Sequence, residues 1–289
     1  MLRSSLHNHT FFCDGHDEIE AFCRAAWEGG FVSLGFSAHA PISKKTHIPS
    51  DWHLADDRLE EYLEEVRAAR RRWEGKLPVY LGLEVDYITG LMGPADRDYR
   101  ELGLDFIIGS VHYVFSPQGE PMTVDSPVEE FDKEFKSLFH NDGEALLAAY
   151  WDAVAGMITA GGYDILGHLD LVKKNNTNRS WFSPSGENYT RRVRRIAELV
   201  AGASGVVEVN TGGLARNYTP DTYPSLEILK ICKQQNVPVT INSDAHATVH
   251  LAGYHEAAWN TLKQAGYSQV LLFAGGKAGA PVWREDPLG

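Results

Sequence analysis

Residues Tyr80-Leu81-Gly82-Leu83-Glu84-Val85-Asp86 form a short apolar run that closes on carboxylates. The run follows Asp56–Trp73, in which Leu59, Tyr62, Leu63, Val66 and Trp73 mark one helical face. Helix-period segments and apolar runs alternate along the whole chain, and repeated strand–helix units specify a parallel sheet. The candidate strands are Arg3–His7, Val32–Ser37, Val79–Glu84, Phe106–Val111, Ile165–His168, Val206–Asn210, Val239–Ser243 and Val270–Ala274. Between them Glu18–Gly29 (capped by Asp17), Ala145–Ala160, Thr190–Gly202 and Ser225–Gln235 also read as helices. Seven or eight such units predict an α/β barrel, closed or nearly so, in one domain over residues 1–289. The irregular segments Pro41–Ala55, Phe115–Pro127 and Lys173–Glu187 each follow a strand end and are expected over one mouth of that barrel.

Nine metal-type side chains decorate this frame: His7, His9, Asp14, His39, Glu84, His112, His140, Asp244 and His246. All but His140 sit at or shortly after the C-terminal end of a candidate strand, the face where such barrels carry their active sites. His7 and His9 are two residues apart, so an extended chain presents both imidazoles to one side. Asp244 and His246 repeat that spacing. A carboxylate closing an apolar strand, as Glu84 does, is costly to bury unpaired, and a bridging position between two metals removes the cost. Gly15 makes a tight turn in which Asp14 competes with His16 for one coordination site. His140 follows a helix around Val128–Phe135. His168, in Gly167-His168-Leu169-Asp170, ends the fifth strand and is read as a substrate contact, with ligand and outer donor as alternatives. Arg216, after the glycines of Asn210-Thr211-Gly212-Gly213, suits phosphate, and Lys173 and Lys174 are further phosphate candidates. The set contains histidine and carboxylate but no cysteine, which suits zinc, iron or manganese. The chemistry that follows is hydrolysis by metal-activated water.

The bulk numbers agree. A formal charge of -12 disfavours a nucleic-acid groove. No apolar run approaches a membrane span. Met1–Ser5 leads straight into the first site residues, with no room for a cleaved signal peptide. The cysteines Cys13, Cys23 and Cys232 show no paired spacing, which fits a reduced cytoplasmic setting.

Seven separated motifs, in order, resemble the polymerase and histidinol phosphatase family of metal-dependent phosphoesterases. They are Leu6-His7-Asn8-His9-Thr10, Cys13-Asp14-Gly15, Ser37-Ala38-His39, Gly82-Leu83-Glu84-Val85-Asp86-Tyr87, Ile108-Gly109-Ser110-Val111-His112, Gly167–Lys174 and Asn242-Ser243-Asp244-Ala245-His246. Three of them, around Glu84, His112 and His168, resemble the stand-alone histidinol-phosphatase branch. The resemblance implies a distorted (β/α)7 TIM-like barrel holding two or three divalent metal ions. It implies a first metal on His7, His9, Glu84 and Asp244, a second on Glu84, His112 and His140, and a third on Asp14, His39 and His246. It also implies hydrolysis of L-histidinol phosphate in L-histidine biosynthesis, a small-molecule phosphomonoester substrate. Arg216 is expected to help hold the phosphoryl oxygens. Asp244, His246 or a water on the metals is expected to protonate the leaving group. The rival readings are the same fold acting on a nucleotide or nucleic-acid end, an amidohydrolase-type barrel, and a metal-stabilised binding module. The second needs a bridging lysine, and no candidate strand ends in one.

Overall fold

The computed structural model describes residues 1–176, 181–203 and 205–289; residues 177–180 of the expected Lys173–Glu187 loop lie outside them. The strands are β1 (Arg3–Ser5), β2 (Phe31–His39), β3 (Val79–Asp86), β4 (Phe106–Ser110), β5 (Tyr113–Phe115), β6 (Pro121–Thr123), β7 (Ile165–Leu166), β8 (Val206–Asn210), β9 (Val239–Asn242), β10 (Gln269–Lys277) and β11 (Ala280–Pro287). The helices are α1 (Ile19–Glu28), α2 (Leu59–Arg72), α3 (Arg97–Glu101), α4 (Val128–Phe139), α5 (Gly143–Ala160), α6 (Glu187–Ala201), α7 (Gly212–Ala215), α8 (Leu226–Gln234) and α9 (His255–Ala265).

Seven strands pair in parallel in the order β1-β2-β3-β4-β7-β8-β9, with helices around them. The two ends of this sheet meet through side chains rather than a ladder. Asn242 Oδ1 accepts from Leu6 N at 2.7 Å, and Ser5 Oγ accepts from Ser243 N at 3.0 Å. Beyond the strand ends, His9 N donates to Ala245 O at 2.9 Å. The result is a nearly closed (β/α)7 barrel.

The pleat sorts β3 cleanly. Leu81, Leu83 and Val85 join α1 and α2 in an outer apolar cluster with Phe22, Tyr62 and Val66. Gly82 and Glu84 face inward. A Cβ on Gly82 would lie 2.4 Å from the Phe106 ring, so only glycine leaves room for that ring inside the barrel. Phe106, Leu6, Ile108 and Ile165 fill the interior beneath the polar mouth.

The expected eighth barrel strand is a correction. Val270–Ala274 belongs to β10, which pairs antiparallel with β11 and not with the barrel. Phe273 from this hairpin packs edge-on against Tyr80 and Phe106, so it plugs the interior instead of extending the wall. The Phe115–Pro127 segment is not wholly irregular, because β5 and β6 form a short hairpin there. Asp17 does not cap α1; its carboxylate accepts from Thr248 N and Oγ1 at 2.7 and 2.9 Å. Among the described residues no helix is long and apolar enough to cross a membrane.

Candidate metal centre

The strand ends deliver their side chains to one cleft of about 730 Å³ at the barrel mouth. Its walls include Asp14, His39, Glu84, His112, His168, Arg216, Asp244 and His246. Glu84 lies at the centre and is 1 % exposed. Its Oε2 is 3.0 Å from His7 Nε2, 3.4 Å from His9 Nε2 and 3.0 Å from His39 Nδ1. Its Oε1 accepts from Ser110 Oγ at 2.6 Å and lies 2.9 Å from His168 Nε2 and 3.8 Å from His112 Nε2. Burial alone would raise the Glu84 pKa, but His7, His39 and His112 hold it well below the usual carboxylate range.

His7 and His9 lie just beyond β1 and flank Asn8, which bridges in parallel to Ala245 beyond β9. The intervening Asn8 is buried, donating to Ser5 O and Gly35 O and accepting from Ser5 Oγ and Ser243 Oγ. That anchor leaves both imidazoles, 5.0 Å apart, with Nε2 atoms 3.0 and 3.4 Å from Glu84 Oε2. The turn after them brings in Asp14: a Cβ on Gly15 would lie 2.4 Å from His9 backbone atoms, so only glycine fits. Asp14 Oδ2 accepts from His246 Nε2 at 3.1 Å, and Oδ1 is 3.6 Å from His39 Nε2. His16 lines the cleft but joins none of the close donor groups among the described residues.

Asp244, left-handed at φ 47°, turns its carboxylate into the site. Oδ1 is 3.3 Å from His9 Nε2, while Oδ2 accepts from Arg216 Nη2 at 3.0 Å. Burial opposes ionisation of Asp244, but Arg216 and then His7 keep its pKa well below the ordinary value. Arg216 Nη1 donates to Asp244 O and approaches His246 Nδ1 at 2.5 Å.

Two further carboxylates orient these imidazoles. Glu208 accepts from His7 Nδ1 at 2.7 Å, His168 N at 2.8 Å, Asn210 Nδ2 at 2.9 Å and Asn242 Nδ2 at 2.9 Å. Asp86 accepts from His112 Nδ1 and His53 Nε2, both at 2.8 Å. Burial pushes His112 down, but Asp86 overrides it and lifts the imidazole to about 10. The sequence reading missed Glu208, although a carboxylate inside the apolar run Val206-Val207-Glu208-Val209 carries the same signal as Glu84.

Two expected site residues, His140 and Lys173, lie off the cleft wall. His140 is exposed and left-handed at the C-cap of α4, and it does not line the cleft. His168, expected as a substrate contact with metal ligand as an alternative, lies beside Glu84 and His7, its ring 4.9 Å from that of His112. Lys173 is buried, paired with Asp170 Oδ2 at 2.9 Å and donating to Thr222 O at 2.6 Å. Its neighbour Lys174 lines the cleft and stands, like Arg216, over the Tyr218 ring.

The donor set fits divalent cations. His7 Nε2, His9 Nε2, Asp14 Oδ1, His39 Nδ1 and Glu84 Oε2 are buried and lack hydrogen-bond partners. Five orphaned polar atoms converging on one cleft are costly without a ligand that takes their lone pairs.

Comparison with known proteins adds the family. The profile of the PHP domain matches residues 5–212, most of the chain. The chain belongs to the PHP domain family. It is 29 % identical over 242 residues to the probable histidinol-phosphatase of Deinococcus radiodurans, covering 83 % of this chain and 85 % of that one. It is 28 % identical over 275 residues to the histidinol-phosphatase of Bacillus subtilis, covering 89 % and 98 %. Among solved structures, a candidate histidinol phosphatase from Listeria monocytogenes shares this PHP fold at a TM-score of 0.79 and 23 % identity, covering 88 % of this chain and 99 % of that one. The histidinol phosphate phosphatase of Lactococcus lactis, complexed with zinc, L-histidinol and phosphate, superposes at 0.65 and 20 % identity, covering 97 % and 98 %.

Proposed function

We propose that this protein is a metal-dependent phosphomonoesterase that hydrolyses L-histidinol phosphate to L-histidinol and phosphate. The observation that carries the reading is the convergence of five buried, unpartnered ligand-type atoms, Glu84 Oε2 among them, on one site. The substrate is drawn from the two curated relatives, both named histidinol-phosphatases, that align over most of the chain.

His7, His9, Glu84 and Asp244 would hold one metal, Glu84, His112 and His168 a second, and Asp14, His39 and His246 a third. Zinc, iron or manganese bound there supplies acidified water and positive charge beside the phosphoryl oxygens.

The chain's own groups do the rest. Glu208 and Asp86 accept hydrogen bonds from the Nδ1–H groups of His7 and His112, which turns Nε2 of each toward Glu84. Arg216 holds Asp244 by its carbonyl and carboxylate, so the same guanidinium that borders the phosphate region also fixes a metal ligand. Lys174 and Arg216 flank Tyr218 and give this acidic chain a local cationic wall for a phosphate dianion. As water adds to phosphorus and the ester P–O bond breaks, the departing alkoxide needs a proton. Arg216 holds Asp244 ionised, so among the cleft-wall groups we assign the delivery of that proton to His246.

Steady-state rates of the zinc-loaded protein on L-histidinol phosphate, a nucleoside monophosphate and a 3′-phosphorylated oligonucleotide test the reading. A kcat/KM at least about 100-fold higher for L-histidinol phosphate is expected from a site built around that ester's polar groups. Equal or better turnover of either nucleotide substrate contradicts it.

A further inference from the structure

The loop between β2 and α2 borders the cleft through Ser50 and Trp52, and a hydrogen-bonded line ties it to the metal centre. Ser50 Oγ lies 2.6 Å from His53 Nδ1, and His53 Nε2 lies 2.8 Å from Asp86 Oδ2. The other oxygen of Asp86 is 2.8 Å from His112 Nδ1. His53, Asp86 and His112 are only 8 %, 1 % and 3 % exposed, so water does not replace these bonds.

The line has a direction. An ionised carboxylate only accepts, so Asp86 selects the Nδ1–H form of His112 and the Nε2–H form of His53. With the Nδ1–H bound to Asp86, the nitrogen that a metal cation would claim is Nε2, the atom facing Glu84. His53 has its lone pair on Nδ1, where the Ser50 hydroxyl donates. Aromatic packing reinforces the arrangement. The Trp52 ring lies 3.7 Å from His53 and meets His39 and His112 edge-on at 4.6 and 5.4 Å.

We propose that His53 is a positioning residue that seats the Ser50–His53 loop on the barrel and, through Asp86, holds His112 in the tautomer and orientation that metal binding needs. The inference rests on the metal-centre reading above and on no particular substrate. Loop seating and metal affinity are then coupled, and the coupling is reciprocal.

Zinc titration against a chromophoric chelator tests this, together with kcat and KM on a phosphomonoester. His53→Ala should weaken zinc binding by about 10-fold, the lower end for loss of an outer partner of a ligand. It should also raise KM more than it lowers kcat, because the loop wall shifts. His53→Gln, which keeps an N–H within reach of Asp86, should recover most of the zinc affinity. If His53→Ala does not fold, His53→Asn, whose amide stops short of Asp86, takes its place with the same expected loss. A folded His53→Ala or His53→Asn protein that binds zinc as tightly as wild type overturns the proposal. So does a folded His53→Gln protein that binds as weakly as His53→Ala. A wild-type protein that binds no zinc, iron or manganese would instead remove the metal-centre reading beneath it.

Discussion

Glu208 is fully buried and accepts four hydrogen bonds, two of them from proposed metal ligands, His7 Nδ1 and the His168 backbone N. Glu208→Gln would turn an amide donor toward groups that themselves donate, either His168 N with Asn210 Nδ2 or His7 Nδ1 with Asn242 Nδ2. Metal affinity should fall about 10- to 100-fold, read by competition with a chelator; an unchanged affinity would exclude Glu208 as an orienting group. Lys173 stands apart from this chemistry. Its ammonium neutralises the buried Asp170, so Lys173→Ala should cost about 3–5 kcal/mol by leaving that carboxylate without its cation. Thermal melts check this, and a melting temperature close to wild type would contradict the pairing. Arg216→Ala should lower kcat/KM by about one to three orders of magnitude, because one guanidinium serves both Asp244 and the phosphate wall. Unaltered kcat/KM would remove Arg216 from the site.

At the scale of elements, the β10–β11 hairpin is tied to the barrel by Asp164. This residue is 3 % exposed and accepts from Ile107 N on β4 and from Gly279 N in the hairpin turn. Burial raises its pKa from 3.8 to about 6. Between those values the folded protein keeps a proton that the unfolded chain has released. Stability from this group is therefore present below pH 3.8 and lost as pH rises through about 6. Asp164→Asn cannot ionise, so relative to wild type it should gain stability between pH 4 and pH 7. A difference in melting temperature between the two proteins that does not change over that range would contradict the assignment. The cleft-side elements behave differently. The β2–α2 loop and the β5–β6 hairpin meet at the aromatic wall of Trp52 and Tyr113, whose rings stack 5.8 Å apart, so the mouth is shaped by segments outside the barrel ladder.

Across the whole molecule, strand-end chemistry was the legible part. Glu84 and His112 follow from inward-facing period-2 positions on β3 and just past β4, and the barrel follows from the alternation that carries them. His7, His9, Asp244 and His246 were found by spacing, although they lie beyond β1 and β9, where Asn8 and a left-handed Asp244 set their aim. His168 obeys the same strand-end rule after the two-residue β7, whereas His140 is held away at a helix terminus whose direction depends on tertiary packing. Lys173 and Lys174 could not be told apart because they share a two-turn 3-10 helix, Leu171–Asn176, in which adjacent side chains diverge. The hairpin that plugs the barrel reads locally like any other strand, since its antiparallel partner is decided by residues outside the repeat. The most direct test of a Glu84-centred site that uses His168 and not His140 is the metal-to-protein ratio of purified wild-type, Glu84→Ala, His168→Ala and His140→Ala proteins. Two or three ions are expected in the wild type and in His140→Ala, with clear loss in Glu84→Ala and His168→Ala. Full occupancy in Glu84→Ala, or loss in His140→Ala with retention in His168→Ala, would contradict it.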